Sequence, residues 1–541
     1  MTTHVKVVEV RDPLQTDCYP ISILPRLSKL FMDYEASHEP LAPFYSAAPY
    51  GAVKVETQGD AGRYAAIADL LEVQNKAMGA GEATLANISK LRAGAPAIVT
   101  GQQVTLFGGP LFTLLKAATA IRRAKDAGAV PIFWMATEDH DLDEADHVIL
   151  PERHALRRLK MAHAAEDAGK PVGGVRLGEG IGALVDEAAE LLGPSEILDA
   201  IETAYRADAT YAEAFGRLLT AVFAAQGLIV MNAAGREFHR LGAPVLRAAI
   251  ERAEDLETLL LERTTLLEER GYAAQVLVAK GGSLLFLVDD ETGARLALKR
   301  KEDGGWTAGK RHHSTAELLR ILEAKPERLS PNALLRPVFQ DAILPTAAYV
   351  GGPAEIAYFA QSQVVYEAVL GRTTRVLPRL SATLVEPAIA KVMAQHAVRL
   401  DDLIGSSQDE LAQRLGARAM PVEGKQKLAA AGNALDAELK TLTEWMARMD
   451  KELGKSAEVA AEKMRYQMGR LRRLAANYQL QKEASLRKHV DAMYLSLWPN
   501  DHPQERVVGM AAFLAKQGFG LVEQMVELAA EECPGHKVAY L

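Results

Sequence analysis

Residues 97–147 read AIVTGQQVTLFGGPLFTLLKAATAIRRAKDAGAVPIFWMATEDHDLDEADH. Ala97-Ile98-Val99 is a short apolar strand, and the run from Leu111 to Ala127 carries Leu114, Leu115, Ala118 and Ile121 at a helical period before stopping at Gly128. Val130 to Ala136 is apolar throughout, which suits a parallel strand covered on both faces. Strand, helix and strand make a βαβ unit with a right-handed crossover. A polar segment follows each strand: Thr100-Gly101-Gln102-Gln103 after the first and Thr137-Glu138-Asp139-His140-Asp141 after the second. Parallel strands would deliver both to one sheet edge, where open α/β sheets bind ligands.

Gly108-Gly109-Pro110 reads as the opening of the intervening helix. Proline tolerates the first helical position, and the free N–H groups there suit a phosphate or carboxylate. The alternative is a tight turn that binds nothing. The arrangement recurs where Ala347–Val350 runs into Gly351-Gly352-Pro353-Ala354-Glu355. The acidic-histidine cluster Glu138, Asp139, His140, Asp141, Asp143, Glu144, Asp146 and His147 has the residue types for a divalent metal, a general base or an amino group. On a helix, His140 and His147 would share a face. Asn332, Arg336, Gln340 and Asp341, and then Arg375, Arg379, Ser381 and Thr383, form two further polar groupings.

Outward from this centre, the chain to about Gly94 is helical in pattern, with a turn-rich lead-in from Tyr19-Pro20 to Leu24-Pro25. Residues 151–225 are polar, then helical, without a strong strand. Gly227–Met231 is another buried strand. Gln275–Val278, Ser283–Val288 and Arg295–Leu298 read as strands of a small antiparallel insertion. Leu428, Leu435, Leu442 and Met449 recur every seven residues, with Leu439, Met446 and Leu453 four after the last three, and Gly432 and Gly454 interrupt the stripe. That heptad pattern predicts a helical hairpin of the kind that mediates dimerisation.

A length of 541 residues gives several domains as a prior. A formal net charge of −8 supplies no general attraction to nucleic acid, and Arg465, Arg470, Arg472 and Arg473 read as a solvated helix face. Two cysteines, Cys18 and Cys533, are no disulfide framework and no thiolate zinc site. Met1–Val10 has no apolar signal core and no run is long enough to span a bilayer, so the cytoplasm is the expected address.

Thr100–Ile121, Pro131–His147, Leu334–Gln361 (LLRPVFQDAILPTAAYVGGPAEIAYFAQ), Leu377–Pro387 (LPRLSATLVEP) and Leu497–Val507 (LWPNDHPQERV) together closely resemble the bacillithiol-biosynthesis cysteine-adding enzymes, the BshC family. The resemblance covers essentially the whole chain. It implies an α/β fold: a Rossmann-like parallel-sheet core similar to class I aminoacyl-tRNA synthetases, with connecting insertions and a helical coiled-coil domain forming a homodimer. The expected division is core 1–150, helical insertion 151–225, core strand and helix 226–255, antiparallel insertion 256–330, core 331–385, coiled coil 386–494 and a return to the core at 495–541. The implied reaction joins the carboxyl of cysteine to the amine of glucosaminyl-malate.

A free carboxylate is a poor acyl donor, so ATP activation as an adenylate is expected, with AMP or ADP as product and magnesium as a possible companion; no metal ligands are assigned. Gly108-Gly109-Pro110 stands where synthetases carry His-x-Gly-His, which leaves nucleotide contacts to Gly108, Gly109, Lys116, Gln102 or Gln103. Arg375, Ser381 and Thr383 occupy the place of the second, lysine-containing signature; here Arg379 supplies the charge. His140 or Asp139 is expected to take the proton of the attacking amine, and Arg336 or Arg379 to hold the malate carboxylates. Substrate contacts are expected from Gln102, Gln103, Thr137, Asp141, Gln340, Gly351, Gly352 and Glu355. Two other readings stay open: a metal-dependent hydrolase built on Glu138–His147, and a non-catalytic dimeric scaffold with a nucleotide-binding fold.

Overall fold

A computed structural model describes residues 14–37, 39–55, 61–482, 484–530 and 533–541. The leader reading at Met1–Val10 lies outside the described residues. The chain divides into two compact units, one running to Thr383 and resuming at Gln504–Ala539, the other comprising Leu384–Pro503 and the last two residues.

The first unit is organised by five parallel strands: β1 (Ala97–Gln102), β2 (Val130–Met135), β3 (Ile229–Asn232), β4 (Thr346–Gly351) and β5 (Arg375–Pro378). Their spatial order is β3-β2-β1-β4-β5. Every residue of β2 is buried, as its unbroken apolar run requires. β1 and β2 pair in register from Ala97–Val130 to Gln102–Met135. Gly101 is needed for that approach, because a Cβ there would stand 2.7 Å from the Trp134 carbonyl oxygen. Helix α1 (Phe112–Ala127) makes the first crossover and ends on Gly128 at φ +64°, a left-handed cap that glycine adopts without strain. Helix α2 (Pro353–Leu370) follows β4, with Pro353 in its first turn and the Glu355 carboxylate accepting the Gly352 N–H at 2.8 Å. The direction of strand addition reverses between β1 and β4. In an open sheet that switch point is where the carboxyl edge opens into a crevice.

Several local expectations change. The lead-in is partly a strand, Gln15–Pro20, in a three-stranded sheet with Gly535–Tyr540 and Ala382–Val385. Cys18 and Cys533 form a disulfide across 515 residues, because this sheet brings the two ends of the chain together; a count of two thiols carries no such information. Helix α1 begins at Phe112 rather than at Pro110, which instead bridges to Gly509. His140 and His147 share no helix: the intervening helix is only Leu142–Ala145, and His147 opens the strand His147–Pro151. That strand pairs with Leu156–Lys160, a hairpin that the polar pattern concealed. The antiparallel insertion has the order Arg311–His313, Trp306–Ala308, Arg295–Arg300, Gly282–Val288, Leu329–Pro331. Gln275–Val278 is not among its strands; its residues are mostly exposed or half-exposed, with Leu277 90% exposed.

In the second unit, helices α3 (Val422–Met449) and α4 (Lys451–Lys482) form a long hairpin. Asp450 makes the turn, its side chain accepting the N–H groups of Glu452 and Leu453 at 2.9 Å each. Gly454 lets the helices close, since a Cβ there would lie 2.7 Å from Ala447 Cα. The heptad stripe divides: Leu439 is buried in the hairpin, whereas Leu442, Met449 and Leu453 are exposed, as is Trp445 beside them. Arg465 pairs with Asp436 and Glu458 on the hairpin surface.

Candidate active site

The switch point opens into a cavity of about 590 Å³, lined by side chains from four stretches of the core, from the antiparallel insertion and from the C-terminal segment. The end of β1 contributes Gln102 and Gln103; the residues after β2 contribute Glu138, Asp139, His140 and Glu144. The turn after β4 contributes Gly352 and Glu355, and the residue after β5 is Arg379.

Lys116, on α1, is buried beneath the floor. Its ammonium donates to the Gly101 carbonyl at 2.8 Å and to Gln102 Oε1 at 2.9 Å, and it is ion-paired with Glu355. Burial pulls the Lys116 pKa down against the pull of Glu355. Burial alone would raise Glu355, but Lys116, the Tyr349 hydroxyl at 2.6 Å and the Gly352 N–H hold its carboxylate below the ordinary range. Both members of the pair already have their hydrogen-bonding capacity taken up by the chain's own groups. A Cβ on Gly352 would lie 3.4 Å from Glu355 Oε2, 3.6 Å from Arg379 Nε and 3.9 Å from Lys116 Cε, so glycine keeps this charged floor open to close approach.

Arg336 is held by the Tyr358 hydroxyl at 2.7 Å. Burial would lower its pKa, but the tyrosines Tyr358 and Tyr349 and the Glu355 carboxylate raise it above the ordinary arginine value. Arg379 is gripped from behind: NH1 donates to the Leu380 carbonyl at 2.7 Å and to Glu505 at 3.1 Å, and NH2 to Glu505 at 2.6 Å. Glu505 also accepts the Ala382 N–H and the Ser381 hydroxyl. Burial opposes its ionisation, yet the Arg379 guanidinium keeps the carboxylate below its usual pKa. Arg506, beside it, opens to the cavity within 6.0 Å of the Phe112 ring centroid and has no ion-pair partner among the described residues.

At the other end, the acidic cluster separates into distinct pairs. Glu138 sits 2.9 Å from Nε2 of the fully buried His239, whose Nδ1 faces the Pro326 carbonyl at 3.1 Å. Burial disfavours the imidazolium, but Glu138 and that carbonyl outweigh it and raise the His239 pKa. Asp139 accepts from Gln103 and takes the His140 N–H at 2.7 Å. His140 Nδ1 lies 3.2 Å from a guanidinium nitrogen of Arg295, carried by the insertion. Asp143 pairs with Lys160, and Asp146 with His147 and Lys160, away from the cavity. Glu144 stays at the cavity; burial, then Asp139 and Asp141, push its pKa up.

The cavity thus unites Gln102, Gln103, Lys116, Asp139, His140, Arg336, Gly352, Glu355 and Arg379. The other expected site residues are placed elsewhere. Gly108 and Gly109 have positive φ and are packed so tightly that a Cβ would collide with Met510 and Thr105 respectively; they serve chain packing. Arg375 enters β5 at its amino end and donates to the carbonyls of Ala48, Gly51 and Ala52. Ser381 and Thr383 hold the two nitrogens of the buried His536 at 2.8 Å each. Thr137 hydrogen-bonds Asn232 at 2.7 Å and lines a second cavity. Asp141 caps the short helix, Gln340 is buried against Asp341, and Gly351 accepts the Arg379 N–H. Sequence reasoning gave no part to Arg295, His239, Tyr358, Glu505 or Arg506. The Gln504-Glu505-Arg506 run lies in a stretch that carried the family resemblance, the one available signal.

Two family models account for almost all of the chain: the bacillithiol biosynthesis BshC N-terminal Rossmann-like domain over residues 14–380, and the BshC C-terminal coiled-coil domain over residues 382–541. The chain belongs to the BshC family. A relative from Koribacter versatilis, named "Putative cysteine ligase BshC", is 42% identical, covering 96% of this chain and 99% of the relative. Relatives with the same name from Solibacter usitatus (35% identical; 96% and 99% covered) and Symbiobacterium thermophilum (32%; 89% and 91%) are similar over the same span. Among the described residues of this BshC chain, no helix is long and apolar enough to cross a membrane.

Proposed function

We propose that this chain is a cysteine ligase of bacillithiol biosynthesis, forming the amide between the carboxyl of L-cysteine and the amine of glucosaminyl-malate, with ATP consumed and the protein acting in the cytoplasm as a homodimer. The observation that carries this reading is the polarity of the switch-point cavity. Arg336, Arg379 and Arg506 stand in it with the carboxylates Glu138, Asp139 and Glu144. A reaction between an anionic acyl donor and an amine borne by a dicarboxylate needs both kinds of surface in one cavity.

ATP supplies the leaving group that a free carboxylate lacks. Arg506 fits an anionic ligand, whereas Lys116 reaches a phosphate only by giving up one of its three partners, and the Gly352 N–H only by leaving Glu355. Arg336 and Arg379 face the malate carboxylates, and Asp139 and Glu138 receive the amine as its ammonium. The ammonium first gives one proton to the Asp139–His140 end; the freed lone pair then attacks the acyl carbon, the C–N bond forms, the leaving group departs with its electron pair, and the nitrogen's second surplus proton passes to solvent. Exposed Leu442, Trp445 and Met449 on α3 fit a second copy of the hairpin.

The test is purified protein with cysteine, glucosaminyl-malate and ATP, analysed by mass spectrometry for the amide and for AMP or ADP. The expected result is thiol product in step with nucleotide consumption. Product without nucleotide would sink the activation step, and equal turnover by His140→Ala would remove His140 from the mechanism.

A further inference from the structure

Arg295 belongs to the antiparallel insertion, remote in sequence from the sheet edge, yet it is fixed on every side. Its Nε donates to Ser330 Oγ at 2.8 Å and its NH2 to the Pro331 carbonyl at 2.8 Å. The guanidinium lies 3.7 Å from the centroid of Phe286, whose ring also packs against His140 at 5.6 Å. Its backbone N–H is tied to the Gly169 carbonyl at 2.8 Å. The remaining nitrogen, NH1, stands 3.2 Å from His140 Nδ1. A guanidinium has donors and no acceptor, so the imidazole nitrogen facing it must present its lone pair. The rival partner is Asp139 Oδ1, 3.5 Å from the same nitrogen, too far for a good hydrogen bond and already taking the His140 N–H at 2.7 Å.

We propose that Arg295 is a positioning residue that locks His140 in the Nε2–H tautomer, so that His140 serves the reaction as a hydrogen-bond donor to the acyl oxygen and not as the base. This rests on the ligase reading. Proton removal then falls to the carboxylates of the same end, of which Asp139 lies 3.5 Å from His140. The other charged groups on the cavity wall are Glu138, Glu144, Arg336, Lys116, Glu355, Arg379 and Arg506; of these and Arg295, only Arg295 is placed against the ring by a hydrogen bond. Remove the Arg295 guanidinium, and Nδ1 is free to carry the proton toward Asp139. The ring then turns a lone pair on the substrate.

The experiment is the pH profile of kcat, at saturating substrates, for wild type, Arg295→Met, Arg295→Lys, His140→Gln and His140→Ala. His140→Gln, whose amide replaces the Nε2–H donor, is expected to keep roughly tenfold or more of the kcat that His140→Ala loses, given that one such donor is worth about 10²–10³. Arg295→Met is expected to fall about tenfold or more at pH 8 with a profile whose shape differs from wild type, whereas Arg295→Lys, keeping the cation, stays intermediate and keeps the wild-type shape. The proposal is overturned if His140→Gln is as inactive as His140→Ala, or if the Arg295→Met profile runs parallel to wild type. Should Arg295→Met not fold, Arg295→Lys and the His140 pair decide alone. An inactive wild type would instead overturn the ligase reading, before any variant is compared.

Discussion

Replacing Glu35 by glutamine should stabilise the first unit, and by an amount that grows with pH. Glu35 is the last residue of the helix Lys29–Glu35 and is only 4% exposed. A carboxylate there meets both desolvation and the negative end of the helix. Burial lifts its pKa from 4.5 to about 8, more than Tyr50 and Arg379 can offset, with Glu505 adding repulsion. The folded state therefore keeps a proton that the unfolded chain releases above about pH 4.5. Stability falls as pH rises through that window, by about 1.4 kcal/mol per unit, and levels off above the folded value near 8. The full difference is roughly 5 kcal/mol, of which about 4 has accrued at pH 7.5. Glutamine has the same shape, keeps a polar tip for Tyr50, and has nothing to ionise. Urea unfolding at pH 5, 6.5 and 8 should show the two proteins nearly level at pH 5 and the variant ahead by several kcal/mol at pH 8. The two compact units need not unfold together, so the readout is hydrogen exchange in β1 and β2. A gap independent of pH would refute the reasoning, because it would mean Glu35 ionises alike in both states.

His536 should show the opposite window: burial lowers its pKa from 6.5 to about 4, so stability is lost as pH falls from 6.5 toward 4, by about 3 kcal/mol in all, and His536→Gln should flatten that acid loss in the same unfolding series. Glu505→Gln leaves the Arg379 guanidinium buried without its counter-charge and should destabilise by about 3–5 kcal/mol, with kcat lower in whatever fraction folds, checked by denaturation and turnover together. Reduction should lower the thermal midpoint of wild type but not of Cys18→Ser, which is less stable than oxidised wild type by about 2–4 kcal/mol; equal midpoints throughout would deny the disulfide a stabilising role. Leu442→Glu with Met449→Glu should convert a dimer to a monomer in sedimentation velocity, and an unchanged mass would place the subunit contact off this face of α3.

What could be read from the sequence is what local rules encode. The β1–α1–β2 unit was legible because an apolar run, a 3.6-residue period and a terminal Gly128 agree with one another. The second Gly-Gly-Pro was legible as a strand running into a helix, but Glu355 was expected to contact substrate, and its capping of Gly352 came only from the structure. The first was misleading: Gly108-Gly109-Pro110 has the composition of a helix start, but its glycines answer to Thr105 and to Met510, some 400 residues away, which no local pattern exposes. His140 and Asp139 stood out as polar residues directly after a buried strand. Arg295 looked like one strand residue among several, and nothing in its neighbourhood announces that its side chain reaches His140. His239 was hidden in an amphipathic helix, and Glu505 and Arg506 in a short polar run. Pairings of this kind are set by topology, and two cysteines 515 residues apart are the extreme case.

The C-terminal return is best understood as a wall of the site. Pro110 bridges to Gly509, and the Met510 N–H donates to the Gly109 carbonyl at 2.9 Å, so the segment docks on the turn before α1. That docking sets Glu505 behind Arg379 and brings Arg506 to the Phe112 ring at the cavity rim. The tight glycines at 108 and 109 thus act on the cavity at one remove: they shape the surface that receives the segment supplying the counter-charge of Arg379. This Rossmann-like core has its cations at the cavity through a long-range device. Arg379 comes from the sheet edge and is held in place by a carboxylate that the chain delivers only after the whole helical hairpin has been traversed.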